Sequence, residues 1–186
     1  TDANGDTQTQ ETTVANDGTY SVTVENALGD GTQDISITSV DAAGNTATTT
    51  ETLTIDTATS NSVDVTDGNT ADSDNVISAA EDEAVDMSGN VEAGSTIDSI
   101  VVTDGAGHSV TVDASKITVS ADGSYTVDNA DLSGLDDGTL TTTITSTDVA
   151  GNTNTSTDNI EKDTSTSVTS DLAADSDSGS SDSDNI

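Results

Sequence analysis

The sequence predicts an all-β chain of tandem antiparallel β-sandwiches, and three observations predict it. Apolar residues recur at every second position in short runs, the period of a strand buried on one face. Turn signals with Asp-Gly steps separate those runs at intervals of about ten residues. The order of runs and turns is itself repeated: "SVDAAGNTATTTETLTIDTATS" at 39–60 returns as "STDVAGNTNTSTDNIEKDTSTS" at 146–167.

In chain order, the alternating runs are Tyr20, Val22, Val24; Ile35, Ile37; Leu53, Ile55; Val63, Val65; Val85, Met87; Val110, Val112; Ile117, Val119; Tyr125, Val127; and Leu140, Thr142, Ile144. Each predicts a strand with one buried face. The turns between them include Asp17-Gly18, Asp30-Gly31, Asp104-Gly105, Asp122-Gly123 and Asp137-Gly138, where glycine supplies the positive φ of a tight turn. Helix is scarce: only a short turn over "NADLSGL" at 129–135, echoed by "NALGD" at 26–30, qualifies.

The repeat sets the domain organisation. "ANDGTYSVTV" at 15–24 aligns with "SADGSYTVDN" at 120–129, and Asp41 and Asp56 align with Asp148 and Asp163. "TDANG" at 1–5 matches "TDGAG" at 103–107, so the first copy starts inside a repeat. "DSDNV" at 72–76 recurs as "DSDNI" at 182–186. The expected division is the C-terminal part of one repeat at 1–57, a complete repeat at 58–166 and the start of a third at 167–186. A unit of about 105 residues with many short strands suits a sandwich and is too long for a solenoid unit.

Two Lys+Arg against 36 Asp+Glu give a formal net charge of −34, which repels polyanions and acidic membranes and makes cations the natural counterparties. Nucleic acid is thereby excluded as a partner, and no apolar run approaches a membrane span. Both cations are lysines, Lys116 and Lys162, so no arginine fork is present. Cys, Pro, Trp and Phe are all absent, so a core must come from Val, Ile, Leu and Thr methyls. Low hydrophobicity with high charge is also the composition of disordered chains, and the strict alternation argues against that reading. No nucleophile–base pair or phosphate loop marks an enzyme, so no catalytic residue is assigned. His108 reads as an exposed bystander of the "DGAG" turn.

"SDNVISAAE" at 73–81, "ADGSYTV" at 121–127, "ADLSGLDDGTLTTTITSTDVAGNT" at 130–153 and "IEKDTSTS" at 160–167 together resemble a family. It is the bacterial immunoglobulin-like repeats of giant calcium-dependent RTX adhesins and biofilm-associated surface proteins. The resemblance implies immunoglobulin-like sandwiches of about seven strands, an extracellular place at a bacterial cell surface, and a monomeric rod of neighbouring repeats stiffened by calcium. The linkers "DTATS" at 56–60 and "DTSTS" at 163–167 lack the proline common in such repeats, so the resemblance implies that rigidity rests more heavily on calcium; Ser78 also stands where Asn is usual.

Within that frame the loop before the last strand, Asp148-Val149-Ala150-Gly151-Asn152, lies at the pole where the first strand enters, beside the linker from Asp56 onward. Its Gly permits the turn, and its Asp carboxylate and Asn carbonyl are hard oxygen ligands of the kind calcium takes six to eight at a time. At the other pole Asp72, Asp74 and Glu81 are expected near Asp163, with Asp182 and Asp184 repeating Asp72 and Asp74 in the next unit. The expected metal ligands are therefore Asp56, Asp72, Asp74, Glu81, Asp148, Asn152, Asp163, Asp182 and Asp184. Turn chemistry alone also accounts for Asp-x-x-Gly-Asn. The expected function is a calcium-rigidified spacer that projects a terminal binding domain. The alternatives are sandwiches that themselves bind a glycan, ice or a host surface, and a disordered acidic cation buffer.

Overall fold

The computed structural model describes residues 5, 7–24, 27–67 and 74–169. In chain order its strands are β1 (Gly31–Val40), β2 (Thr46–Ile55), β3 (Asn61–Thr66), β4 (Val76–Ile77), β5 (Val85–Val91), β6 (Thr96–Thr103), β7 (Ser109–Thr111), β8 (Ile117–Val119), β9 (Ser124–Ala130), β10 (Gly138–Thr147) and β11 (Thr153–Lys162). β1 and β2 form an antiparallel hairpin of their own. The remaining strands form two facing sheets, ordered β3-β5-β9-β8 and β4-β11-β10-β6-β7. This is an all-β, immunoglobulin-like sandwich.

Alternation places its core between the sheets. Met87, Tyr125 and Val127 face Ile100, Leu140 and Ile144, all at most 2% exposed. Gly89 allows a close approach here: a Cβ on it would lie 2.1 Å from the Ser62 carbonyl oxygen and 2.8 Å from the Tyr125 hydroxyl. That hydroxyl donates to the same carbonyl at 2.9 Å, so β3, β5 and β9 meet at one point.

Several expectations need correction. The run Tyr20, Val22, Val24 is not a strand, and all three side chains are about half exposed. It aligns with β9, which is held between β5 and β8, whereas no strand pairs with residues 20–24 among the described residues. A strand without a partner leaves its backbone unpaired and its apolar face uncovered. For the same reason Ile35 and Leu53 on the β1–β2 hairpin remain 39% and 46% exposed. The segment 129–135 continues β9 to Ala130 and then turns, burying Leu132 and Leu135 without helix. Among the described residues a single 3-10 turn lies instead at Ala114–Lys116, where the Asp113 carboxylate caps the Ser115 amide. At 104–108 the left-handed residue is Gly107, not Gly105.

Three strands lack the period-two signal, each for a physical reason. β4 is too short to show a period. In β6 a bulge at Asp98 shifts the register against β10, so the inward side chains are Ile97, Ile100 and Val102 rather than every second residue. β11 turns polar groups inward: Asp158 accepts the Val65 amide at 2.9 Å, and Ser156 donates to the Asn61 carbonyl at 2.8 Å. The Asn61 amide donates to Ser146 Oγ and to the Asn154 carbonyl, both at 2.8 Å. Side chains of one sheet thus satisfy the edge backbone of the other and close the sandwich along β3.

A candidate cation site at the upstream pole

The turn 148–152 is held by its first residue. The Asp148 amide donates to the Asn152 carbonyl at 3.0 Å, and Oδ1 of Asp148 accepts the Gly151 and Asn152 amides at 2.7 and 2.8 Å. Its Oδ2 accepts Nδ2 of Asn152 at 2.9 Å. The turn 41–45 closes in a like way around Asp41, whose Oδ1 accepts the Ala43 and Asn45 amides at 2.9 and 2.8 Å and whose Oδ2 accepts the Asn45 side chain at 2.7 Å. Asp-x-x-Gly-Asn therefore closes its turn unaided, as an Asx-type motif does.

What separates the two copies is company. At 148–152 the turn lies against the linker between β2 and β3, where Nδ2 of Asn152 donates to the Asp56 carbonyl at 3.1 Å. A further turn, 92–95, follows β5 and is tied to the same linker by the Glu92 amide donating to the Ser60 carbonyl at 3.2 Å. Gly123 (φ +90°) lets a neighbouring turn pack against the base of this one, because a Cβ there would lie 2.1 Å from the Val91 carbonyl oxygen. Linker and two turns bring one carboxylate oxygen each of Asp56, Glu92 and Asp148 within 4.8 Å of one another.

Asp148 is 8% exposed and Asp56 half-buried. Burial raises the Asp148 carboxyl pKa, but donation from the Asn152 side chain and from the Asn152, Gly151 and Ala150 amides outweighs it, and the net shift is downward. The group is an anion throughout the neutral range. Three carboxylates with no lysine among them repel one another, and an all-oxygen donor set suits a hard cation such as calcium better than a soft one. Asn152 turns its amide nitrogen, not its carbonyl oxygen, toward the Asp148 carboxylate and the Asp56 backbone carbonyl, and so ties the acid to the linker.

Of the residues expected to bind metal, the structure thus gathers Asp56, Asp148 and Asn152. At the downstream pole Asp74 accepts the amide of Val76 at 3.0 Å, and Glu81, 4% exposed, accepts the amide of Ser78 at 2.8 Å. The Asp163 amide donates to the Ile77 carbonyl at 2.9 Å and its carboxylate accepts the Ser165 amide. Each of these carboxylates closes its own turn, and they do not form a group of three among the described residues. Asp72, Asp182 and Asp184 lie outside the described residues.

Glu92 was not legible in the sequence. Its counterpart in the first copy would precede residue 1, so no repeat marks it; the one signal is its place at the head of the Glu-Ala-Gly-Ser turn after a strand. A second group also went unread: Asp104, His108 and Asp136 lie together at the downstream pole. No helix among the described residues is long and apolar enough to cross a membrane.

Residues 1–57 match the bacterial Ig-like domain family. Among solved structures, the chain is 32% identical to the tetra-tandem repeat in the extending region of a large adhesion protein, covering 88% of this chain and 40% of that one, with a TM-score of 0.45. It is 32% identical to a Ca2+-stabilized adhesin with which an Antarctic bacterium binds ice, covering 72% of this chain and 32% of that one, with a TM-score of 0.31. It is 30% identical to part of a 1.5-MDa bacterial ice-binding adhesin, covering 73% and 43% of the two chains, with a TM-score of 0.32. The chain therefore spans less than half the length of each of these structures. No curated protein sequence matches it.

Proposed function

We propose that this chain, which matches the bacterial Ig-like domain family over its first 57 residues, is a calcium-rigidified extender segment of a large bacterial surface adhesin. In this reading residues 1–57, 58–166 and 167–186 are successive repeats of an extracellular monomeric rod that holds a terminal binding domain away from the envelope. The observation that carries it is the meeting of Asp56, Glu92 and Asp148 where the linker from the first hairpin enters the sandwich. A cation bound there touches the linker and two turns of the sandwich at once. When bound, calcium supplies charge neutralisation and directional oxygen coordination.

The chain's own residues do the rest. Asn152 holds Asp148 and the Asp56 backbone in one frame, and the bond between Glu92 and Ser60 anchors the next turn to the linker. Without the cation, like charges push linker and sandwich apart; with it, the same charges become ligands. The low affinity of extracellular calcium modules, about 10⁻⁴ to 10⁻³ M, suits a segment that meets calcium only outside the cell.

Calorimetric titration with calcium is the direct check. Binding in that range is expected for the native sequence, with the fitted stoichiometry reduced by one in the double variant Asp56→Asn, Glu92→Gln. Asp148 is left in place because it closes its own turn. A stoichiometry unchanged by the double variant would remove the upstream pole from the account.

A further inference from the structure

His108 is the single histidine, and it stands where two related turns carry Asn45 and Asn152. The turn 104–108 is bonded as the turn 41–45 is: Oδ1 of Asp104 accepts the Ala106 and His108 amides, both at 2.9 Å. The side-chain bond is also kept, with Nδ1 of His108 2.9 Å from Oδ2 of Asp104. What changes is that imidazole, unlike an amide, can carry a positive charge.

The surroundings use that charge. Asp104 has a side chain 1% exposed, and Asp136, from the loop between β9 and β10, brings Oδ2 to 3.4 Å from the same ring nitrogen. The Asp136 amide also donates to Oδ2 of Asp104 at 3.0 Å. The next residue, Asp137, accepts from both the amide and the hydroxyl of Thr164, just beyond β11. These two aspartates are the charged groups facing the ring. Lys162, bonded to the Leu132 and Leu135 carbonyls of the same loop, directs its charge to Asp82. A continuous path of bonds thus runs from the imidazole to the segment leaving the sandwich.

We infer that His108 is a tethered cation that bridges Asp104 and Asp136, fastening the loop 131–137 and through it the departing chain at Thr164, and that loss of its proton loosens this fastening. Neutral imidazole still donates from Nδ1 to Asp104, so the turn survives. Asp136 then faces an uncompensated carboxylate. The pole that carries its own cation is in this way distinct from the upstream pole, where three carboxylates have none.

The pH dependence follows from the geometry. Its hydrogen bond to Asp104, then the charges of Asp104 and Asp136, raise the His108 pKa against a smaller opposing effect of burial. Asp104 is held far below the usual carboxylate range, first by the Asp136 amide, and remains an anion. With the folded value raised, the stabilisation is fully present below the unfolded histidine value of about 6.5 and is lost as pH rises through the folded value. The His108 side chain is 60% exposed and Asp136 65%, so the Asp136 share is screened by salt while the Asp104 share persists.

The test is an NMR titration of the full chain with chelator present, between about pH 5 and 9. The His108 midpoint is expected above about 6.5, and to fall in Asp136→Asn. Amide protection at Asp136 and Thr164, corrected for intrinsic exchange, is expected to drop severalfold through that midpoint. His108→Asn, which restores the residue of the sibling turns, is expected to keep Ala106 protected and to show the low protection at every pH. A midpoint at or below the ordinary value, or the same pH-dependent loss in His108→Asn, would overturn the inference.

Discussion

In thermal or denaturant melts, Lys162→Ala is expected to lower the unfolding free energy by about 3–5 kcal/mol, the usual effect of deleting one partner from a buried ion pair. Lys162 is one of two cations in the chain and is 3% exposed. Its Nζ donates to the Leu132 and Leu135 carbonyls at 2.9 and 2.8 Å and lies 3.3 Å from Oδ2 of Asp82. Three donors therefore meet three acceptors, and the long loop between β9 and β10 is pinned to the last strand. Removing the ammonium strands an acid and two carbonyls inside the sandwich. Lys116→Ala is the control: although Lys116 also donates to a backbone carbonyl, that of Asn129, the bond is exposed and its loss is expected to cost under about 1 kcal/mol. Equal losses for the two variants would show that burial of Lys162 is not what matters.

The second large effect is calcium itself. A site filled at 100 times its dissociation constant adds about 2.7 kcal/mol to stability by mass action. For a domain of this size each kcal/mol moves the melting temperature by ~4–8 °C, so a gain of roughly 10–20 °C per filled site is expected on moving from chelator to saturating calcium. Asp56→Asn with Glu92→Gln is expected to lose that increment in calcium. In chelator the same variant is expected to be no less stable than the native chain, because it removes like charges from one place. A double variant that is destabilised equally in both conditions would mean that these acids serve packing rather than a cation.

The sequence showed the fold wherever a strand keeps apolar residues on one face. Val85 with Met87, Tyr125 with Val127, and Leu140 with Ile144 were readable for that reason, and each is buried in the core. β11 was not readable because its inward positions Asn154, Ser156 and Asp158 are polar and bond to Asn61 and Val65 of β3 instead of filling hydrocarbon space. Tyr20, Val22 and Val24 show the reverse failure: alternation is a statement about a face, and a face makes a strand only when a partner covers it.

The same division runs through the candidate site. Asp148 and Asn152 could be picked out because the motif occurs twice, and Asp56 because the repeat ends there. Glu92 could not, since its role comes from a contact between turns far apart in the chain. His108 looked idle because nothing in a linear reading shows that Asp136 folds back over the turn 104–108. Turn chemistry and site chemistry share the same residues at Asp41 and Asp148, and the neighbouring linker and Glu92 distinguish them.

The chain lacks cysteine, so two introduced thiols take spin labels without competition. Thr50 on the exposed face of β2 and Thr157 on the exposed face of β11 place one label on each side of the junction. Pulsed electron spin resonance then reads the distribution of distances across the linker. The account predicts a broad distribution in chelator that collapses to one narrow peak in calcium, and that stays broad in calcium when Asp56→Asn and Glu92→Gln are present. A distribution of the same width with and without calcium would contradict it.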